Sequence, residues 1–275
     1  EYFADQKTVT FTYNEEDLAL IDMVFNKKRA NDRKQWLGGY NRGSFINTNQ
    51  PAVTYDEFIN KEMIHYSKYD NDRSIPNMMD GCKISQRKIL YAAFKKNLTQ
   101  EIKVAQFSGY VSEHSGYHHG EASLNGAIVN LAQNYVGSNN IHLFCPNGQF
   151  GTRLQGGKDS ASERYIFTKL HPLTRHIFSK ADDAILTYLD DDGQSVEPIF
   201  YAPILPMILI NGAKGIGTGF STDIMCHHPL SILNYLRHRL TGNQDTVIPV
   251  NPYYHGFKGE IIKIEKYKYL IKGVY

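Results

Sequence analysis

The chain has 275 residues, 41% hydrophobic and 21% charged, with a formal net charge of +2. That length allows one large domain or two to three smaller ones, and is enough to bury a core. The near-neutral total argues neither for nor against a polyanionic partner. Three scattered cysteines, Cys82, Cys145 and Cys226, exclude a disulfide framework and suit a reducing compartment. No run approaches the roughly eighteen apolar residues of a membrane span, so no membrane partner is expected. The opening Glu1-Tyr-Phe and the closing Gly-Val-Tyr275 read as cuts through a longer protein.

Residues 7–13 alternate β-branched and aromatic types, the pattern of an edge strand. Asn14-Glu-Glu-Asp17 then offers a helix start, with Leu18, Ile21, Val24 and Phe25 at helical spacing. Residues 26–37 continue helically but are strongly charged, and the Gly/Asn/Ser/Thr-rich stretch from Gly39 to Pro51 reads as a linker. Thr54-Tyr-Asp-Glu57 is a capping-box pattern that opens a short helix through His65. Arg73-Ser-Ile-Pro76 follows as an extended stretch, because a residue before proline avoids the helical region. Ser85 can cap a helix with Ile89, Leu90, Ala93 and Phe94 on one face, and a second helix is expected over 120–136. A polar loop, 146–164, and a strand-like Tyr165-Ile-Phe-Thr168 complete the order helix, helix, wing. That is the outline of a winged-helix domain, in which the second helix and the wing meet DNA.

Beyond Val196, prolines punctuate apolar stretches that end in Met207-Ile-Leu-Ile210, and Asn211-Gly-Ala-Lys-Gly-Ile-Gly-Thr-Gly219 follows. A helix at about 229–241 and alternating strands at 257–274 complete a mixed α/β region. The fold class expected is therefore α+β.

Between Arg73 and Tyr165 stand ten Lys/Arg against six Asp/Glu, a modest basic patch of the kind a polyanion favours. At its end lies Arg164-Tyr165. A phenol with a pKa of about 10 is a poor nucleophile while protonated. An adjacent guanidinium can stabilise both the phenolate and the phosphate it would attack. Tyr165 is thus a candidate for covalent catalysis on a phosphodiester, against the plainer reading of one surface tyrosine among 19. His119, just ahead of a helix start, can donate to an anion there, or can be a structural histidine. Gly215-Ile-Gly-Thr-Gly219 lacks the spacing of a dinucleotide site. It reads better as a tight turn presenting Ile216, either as an apolar wedge for a base step or tucked into a local core. Asp190-Asp-Asp192 offers magnesium ligands or a solvated turn. Ser160 and Ser162 lack a Ser-His-Asp context.

Taken together, several ordered segments resemble the breakage–reunion region of eukaryotic-type (type IIA) DNA topoisomerase II. They are Arg73-Ser-Ile-Pro76, Asp80-Gly81, Gln86-Arg-Lys88, Lys103-Val-Ala-Gln106, Tyr117-His-His-Gly-Glu121, Leu131-Ala-Gln-Asn134, Gly137-Ser-Asn-Asn140, Gly148-Gln-Phe-Gly-Thr-Arg-Leu154, Gly156-Gly-Lys-Asp-Ser-Ala-Ser162, Arg164-Tyr-Ile-Phe167 and the 211–219 glycine run. His-His-Gly-Glu, in place of the His-Pro-His-Gly of the gyrase branch, resembles the eukaryotic branch, which includes enzymes of large DNA viruses. The resemblance implies that residues 1–50 are a Toprim remnant and linker, 51–190 the winged-helix domain and 191–275 the start of a tower domain.

It also implies roles. Tyr165 would be the nucleophile, giving a 5′-phosphotyrosine, with Arg164, His119 and Arg73 on the scissile phosphate. Ile216 would be the intercalating wedge. Lys83, Arg87, Lys88, Lys103 and Lys158 would contact the DNA backbone. The partners implied are double-stranded DNA and a second copy in a homodimer. Mg2+ and ATP are the implied cofactors, with their ligands outside this stretch and no metal site within it. The location implied is the nucleus, or a viral factory for a viral enzyme. Two rivals remain: a non-catalytic winged-helix DNA-binding module, and a metal-dependent nuclease built on Asp190–Asp192.

Overall fold

A computed structural model of the chain describes residues 9–47, 49–242 and 250–274. It divides into two compact units: Glu1–Ile75 with Lys214–Thr222, and Pro76–Ala213 with Asp223–Tyr275. In the first unit, β1 (Thr10–Thr12) runs parallel to β2 (Ala52–Thr54), with Phe11 opposite Val53. The expected strand is thus confined to three residues, and its first two positions lie outside the described residues.

Helix α1 (Asp17–Phe25) does not continue into the charged stretch as expected. The Asn26 side chain accepts from the Lys28 amide at 3.0 Å and starts a 3-10 turn before α2 (Ala30–Gly38). Local capping of this kind competes with helix propagation. The buried Arg33 guanidinium then donates to the carbonyls of Met23, Val24 and Asn26, groups that a helix end leaves without partners.

The capping box forms as read: the Glu57 amide donates to Thr54 Oγ1 at 3.0 Å. It opens α3 (Tyr55–Phe58), but the helix does not stop at His65. A π turn at Ile59–Met63 leads into α4 (Ile64–Ser74). Only Ile75, the residue before Pro76, is forced into extended backbone, with ψ 127°. Arg73 therefore sits in the last helical turn rather than in an extended stretch. Met23, Val24 and Ile59 form the small core of this unit.

The second unit holds the larger core. Helix α5 (Ile84–Lys96) begins earlier than a Ser85 cap would allow: Lys83 is the cap residue, and its amide donates to Gln86 Oε1 at 2.9 Å. After β3 (Ile102–Lys103) comes α6 (Val104–Ser115), a helix that the sequence pattern does not announce. Its buried positions, Val104, Phe107, Ser108, Val111 and Ser115, keep helical spacing, but two of them are serines and the apolar signal is diluted. Helix α7 (Glu121–Ala132) ends four residues before the expected Val136, because Gln133 turns into extended backbone (ψ 134°).

Strands β4 (Phe144–Asn147) and β5 (Phe167–Leu170) complete a sheet of order β3-β5-β4, with Pro146 opposite Thr168. The β5 strand starts two residues after Tyr165, leaving the tyrosine in a turn. Three helices and this wing close over Ile89, Leu90, Phe107, Val111, Leu124, Ile128, Phe144 and Ile166, all nearly inaccessible to water. Phe107 and Phe144 rings meet at 5.8 Å between helix and sheet. The fold is α+β with a winged-helix core, as expected.

The rest is built from small pieces: α8 (Thr174–Ile177), the hairpin β6 (Tyr188–Asp191) with β7 (Gln194–Pro198), and α9 (Met207–Ile210). The pair β8 (Ala213–Ile216) with β9 (Ser221–Ile224) follows, then α10 (Pro229–Leu240) and the hairpin β10 (Glu260–Glu265) with β11 (Lys268–Lys272). No helix among the described residues is long and apolar enough to cross a membrane.

Candidate functional site

Tyr165 sits at the foot of the wing, 76% exposed. Its loop is polar, yet it is fixed from both sides. The amides of Val104 and Ala105, at the start of α6, donate to the carbonyls of Ile166 and Glu163 at 3.0 and 3.1 Å. The Tyr165 amide closes a turn onto the Ser162 carbonyl at 2.9 Å. The two orphan amides of a helix start thus clamp the residues on either side of Arg164-Tyr165. Further out, Gln133 Nε2 donates to the carbonyls of Phe150 and Gly157, at 2.9 and 3.3 Å.

The Thr152 amide and hydroxyl both donate to Asp159, each at 2.8 Å, and these bonds hold its carboxyl below the usual carboxylate range. Gly157 has φ +83°, and a Cβ there would lie 2.5 Å from Gln133 Nε2, so the crossing tolerates only glycine.

Between this loop and α7 lies a cleft of about 540 Å³. Arg164 and Lys158 line one wall, and Glu121, Asn125 and Asn130 line the other. His119 is half-buried two residues before Glu121, with its ring edge-on to Tyr117 at 5.2 Å. The neighbouring His118 is committed elsewhere, its Nε2 3.2 Å from Asp191. The structure therefore separates the two adjacent histidines, leaving His119 at the head of α7. Asn125 is a site residue that sequence reasoning misses. Its Oδ1 is buried with no hydrogen-bond partner among the described residues, a property that no residue pattern carries.

The five cations expected on the DNA backbone have different fates. Lys103 and Lys158 are exposed, and Lys103 Nζ lies over the Phe167 ring. Lys83 is partly buried, and desolvation lowers its pKa. Arg87 and Lys88 are drawn inward. Arg87 donates to both oxygens of the fully buried Asp80, at 2.7 and 3.1 Å, and to the Cys82 carbonyl. Lys88 is held by Glu197 at 2.8 Å and by the Ser115 carbonyl. A phosphate contact from either would first have to break a buried pair, which costs far more than a surface contact returns.

The acidic triplet Asp190–Asp192 is the turn of the β6–β7 hairpin. Asp190 accepts from the Gly193 amide, Asp191 faces His118, and Asp192 has φ +50°. Among the described residues no group of three His, Cys, Asp or Glu is arranged to hold a metal ion.

Arg73 and Ile216 belong to the first unit. Arg73 is exposed at the end of α4, and Ile216 is 75% exposed at the tip of the β8–β9 hairpin. The exposure excludes the reading of Ile216 as a local core residue.

Residues 73–275 match the DNA gyrase/topoisomerase IV family. The chain belongs to that family. Residues 1–71 match the C-terminal associated domain of TOPRIM. The chain is 53% identical over 266 residues to DNA topoisomerase 2 of Arabidopsis thaliana, covering 95% of this chain and 18% of that protein. It is 49% identical over 276 residues to the mitochondrial DNA topoisomerase 2 of Dictyostelium discoideum, covering 100% of this chain and 21% of that protein. It thus spans about a fifth of the length of these relatives.

A crystal structure of the Plasmodium falciparum topoisomerase II DNA-binding, cleavage and re-ligation domain superimposes with a TM-score of 0.86 at 48% identity. That match covers 99% of this chain and 38% of that one. The chain is homologous to the cleavage and religation region of type II topoisomerases.

Proposed function

We propose that this chain is the phosphate-gripping part of a type IIA topoisomerase that passes one duplex through a transient break in another. The observation that carries the reading is the presentation of Tyr165. It is an exposed phenol on a loop clamped by helix-start amides, beside a guanidinium that lines a polar cleft. In the step proposed, Tyr165 Oη attacks the phosphorus of a phosphodiester. The Oη–P bond forms and the bond from phosphorus to the 3′ oxygen breaks. The phenolic proton passes to solvent, and the departing 3′ oxygen takes up a proton to become a hydroxyl. The reverse step reseals the strand with the phosphate bond energy kept in the ester.

Arg164 and His119 would hold the non-bridging oxygens, where charge builds up. Arg73 would add a further cation. Ile216 would open a base step and bend the duplex. One tyrosine cuts one strand, so a double-strand break calls for a homodimer. The domain division proposed remains 1–50, 51–190 and 191–275.

Mg2+ and ATP would be bound by residues other than those described here. The carboxylates present do not form a metal site, so no step is routed through a metal.

Replacing Tyr165 by Phe in the full-length enzyme tests the reading against a plain DNA-binding module. DNA affinity should persist, and protein-linked 5′ ends should vanish from a denaturing gel. Covalent adduct persisting in that variant would refute the assignment. Free 5′-phosphate ends with no attached protein would point instead to a nuclease.

A further inference from the structure

The hairpin that carries Ile216 is docked onto the last turns of α4, and every contact lies within the first unit. Thr218 Oγ1 donates to Asp70 Oδ2 at 3.1 Å. Asn71 Nδ2 donates to the Thr218 carbonyl at 2.9 Å. The other Asp70 oxygen accepts from Ser74 Oγ at 3.3 Å, which fixes Asp70 on its own helix. The Gly217 amide closes the hairpin onto the Phe220 carbonyl at 2.9 Å.

The glycines beside Ile216 are explained by the same docking. A Cβ on Gly215 would lie 2.1 Å from the Ser74 carbonyl, and one on Gly217 would lie 2.2 Å from Asn71 Oδ1. Neither position admits a side chain without moving backbone or the clamping amide. These glycines therefore seat the hairpin rather than loosen it. On the other flank Lys34 Nζ lies 5.5 Å from the Phe220 ring centroid. Asn71 Oδ1 is buried with no hydrogen-bond partner among the described residues, a cost that a mere spacer would avoid.

We propose that Asp70, Asn71 and Thr218 are positioning residues for Ile216. They turn the end of α4 and the hairpin tip into one rigid mount for the wedge. The inference rests on the wedge role given to Ile216 under the proposed function. An apolar tip can unstack bases only if its support resists the push, and a tip on a slack loop would fold back. Arg73 lies on the same turn of α4 as the clamp, so the cation and the wedge meet the duplex in fixed register.

The test uses the full-length enzyme and a duplex with donor and acceptor fluorophores flanking the bound site. Thr218→Val removes the hydroxyl donor at nearly constant shape, and Asn71→Ala removes the amide. Each should lower the ratio of bent to straight bound DNA about fivefold, the worth of one hydrogen bond. DNA affinity at fixed salt should stay within about twofold, because no phosphate-facing charge is lost. Thr218→Ser, which keeps the hydroxyl, should restore bending.

A merely structural role would lower melting temperature and affinity together and leave the bent fraction of bound DNA unchanged. A wild-type bent fraction in both Thr218→Val and Asn71→Ala overturns the inference. Ile216→Ala measured in parallel separates the two claims. If it too leaves bending unchanged, the wedge reading fails and the mount with it. If it straightens the DNA while the clamp variants do not, only the mount is wrong. Should Asn71→Ala fail to fold, the Thr218→Val and Thr218→Ser pair decides alone.

Discussion

Replacing Arg87 by Ala separates a structural cation from a DNA-binding one. The Arg87 side chain is 6% exposed and its partner Asp80 is fully buried. Removal deletes two charged hydrogen bonds to Asp80 and one to the Cys82 carbonyl. Asp80 keeps two backbone donors, the amides of Cys82 and Tyr201, at 2.8 and 3.0 Å. A buried charge stripped of its partner costs about 3–5 kcal/mol, and the remaining donors place this site at the lower end, about 3 kcal/mol. For a unit of this size that is a melting temperature lower by roughly 6–12 °C.

Thermal unfolding followed by circular dichroism reads the shift, and DNA affinity measured across a salt series reads the charge. A structural Arg87 leaves the slope of log affinity against log salt unchanged. A phosphate-contacting Arg87 would reduce that slope by about 0.9 while barely moving the melting temperature. A shift under about 2 °C combined with a reduced slope would refute the buried-pair argument.

Lys158, exposed on the wall of the cleft, should behave in the opposite way: Lys158→Ala lowers the salt slope by about 0.9 and leaves the melting temperature in place. Gly157→Ala forces a Cβ against the Gln133 amide at φ +83°. It should slow strand cleavage by roughly tenfold or more, since small misplacements of a reacting group are costly; wild-type cleavage in a quench-and-gel assay would argue against a fixed loop. The two Thr152 donors hold the Asp159 carboxyl below its ordinary pKa. Its stabilisation of the loop is therefore fully present above the ordinary carboxylate value and is lost as pH falls through the lower folded value. Proteolysis of residues 148–164 by an acid-active protease should rise across that window, and Asp159→Asn should flatten the dependence.

Much of the fold is legible because local chemistry and tertiary structure agree. Thr54 and Glu57 form the capping box that their spacing demands, and the Pro229 helix runs where its leucines recur. The misses have physical causes. Helix α6 is hidden by Ser108 and Ser115, small polar residues buried on its inner face. Arg73 reads as extended only if the steric rule for Pro76 is spread over three residues, when it binds only Ile75. Among the site residues, Tyr165, Arg164 and Ile216 are exposed as their chemistry requires. Lys88 and Lys158 look alike in sequence. What divides them is Glu197, 109 residues away in sequence, which draws one of them into the interior.

The exposure of Tyr165 bears on how its neighbours act. In water a guanidinium beside a phenol gives little, because solvent screens the pair. The same donors gain strength when water is excluded and their geometry is already fixed. Here the geometry is set by backbone bonds from α6 and by the Gln133 amide, while the cleft stays open. The group that closes it is the duplex itself. Docked DNA would cover Tyr165, lower the dielectric around Arg164 and His119, and bring in the phosphate charge they are placed to meet. Under this reading the chain stays unreactive toward water and becomes a catalyst only on a bound duplex. For an enzyme that must never leave a broken strand unattended, rigid donors around an open cleft are the arrangement that ties reactivity to the presence of substrate.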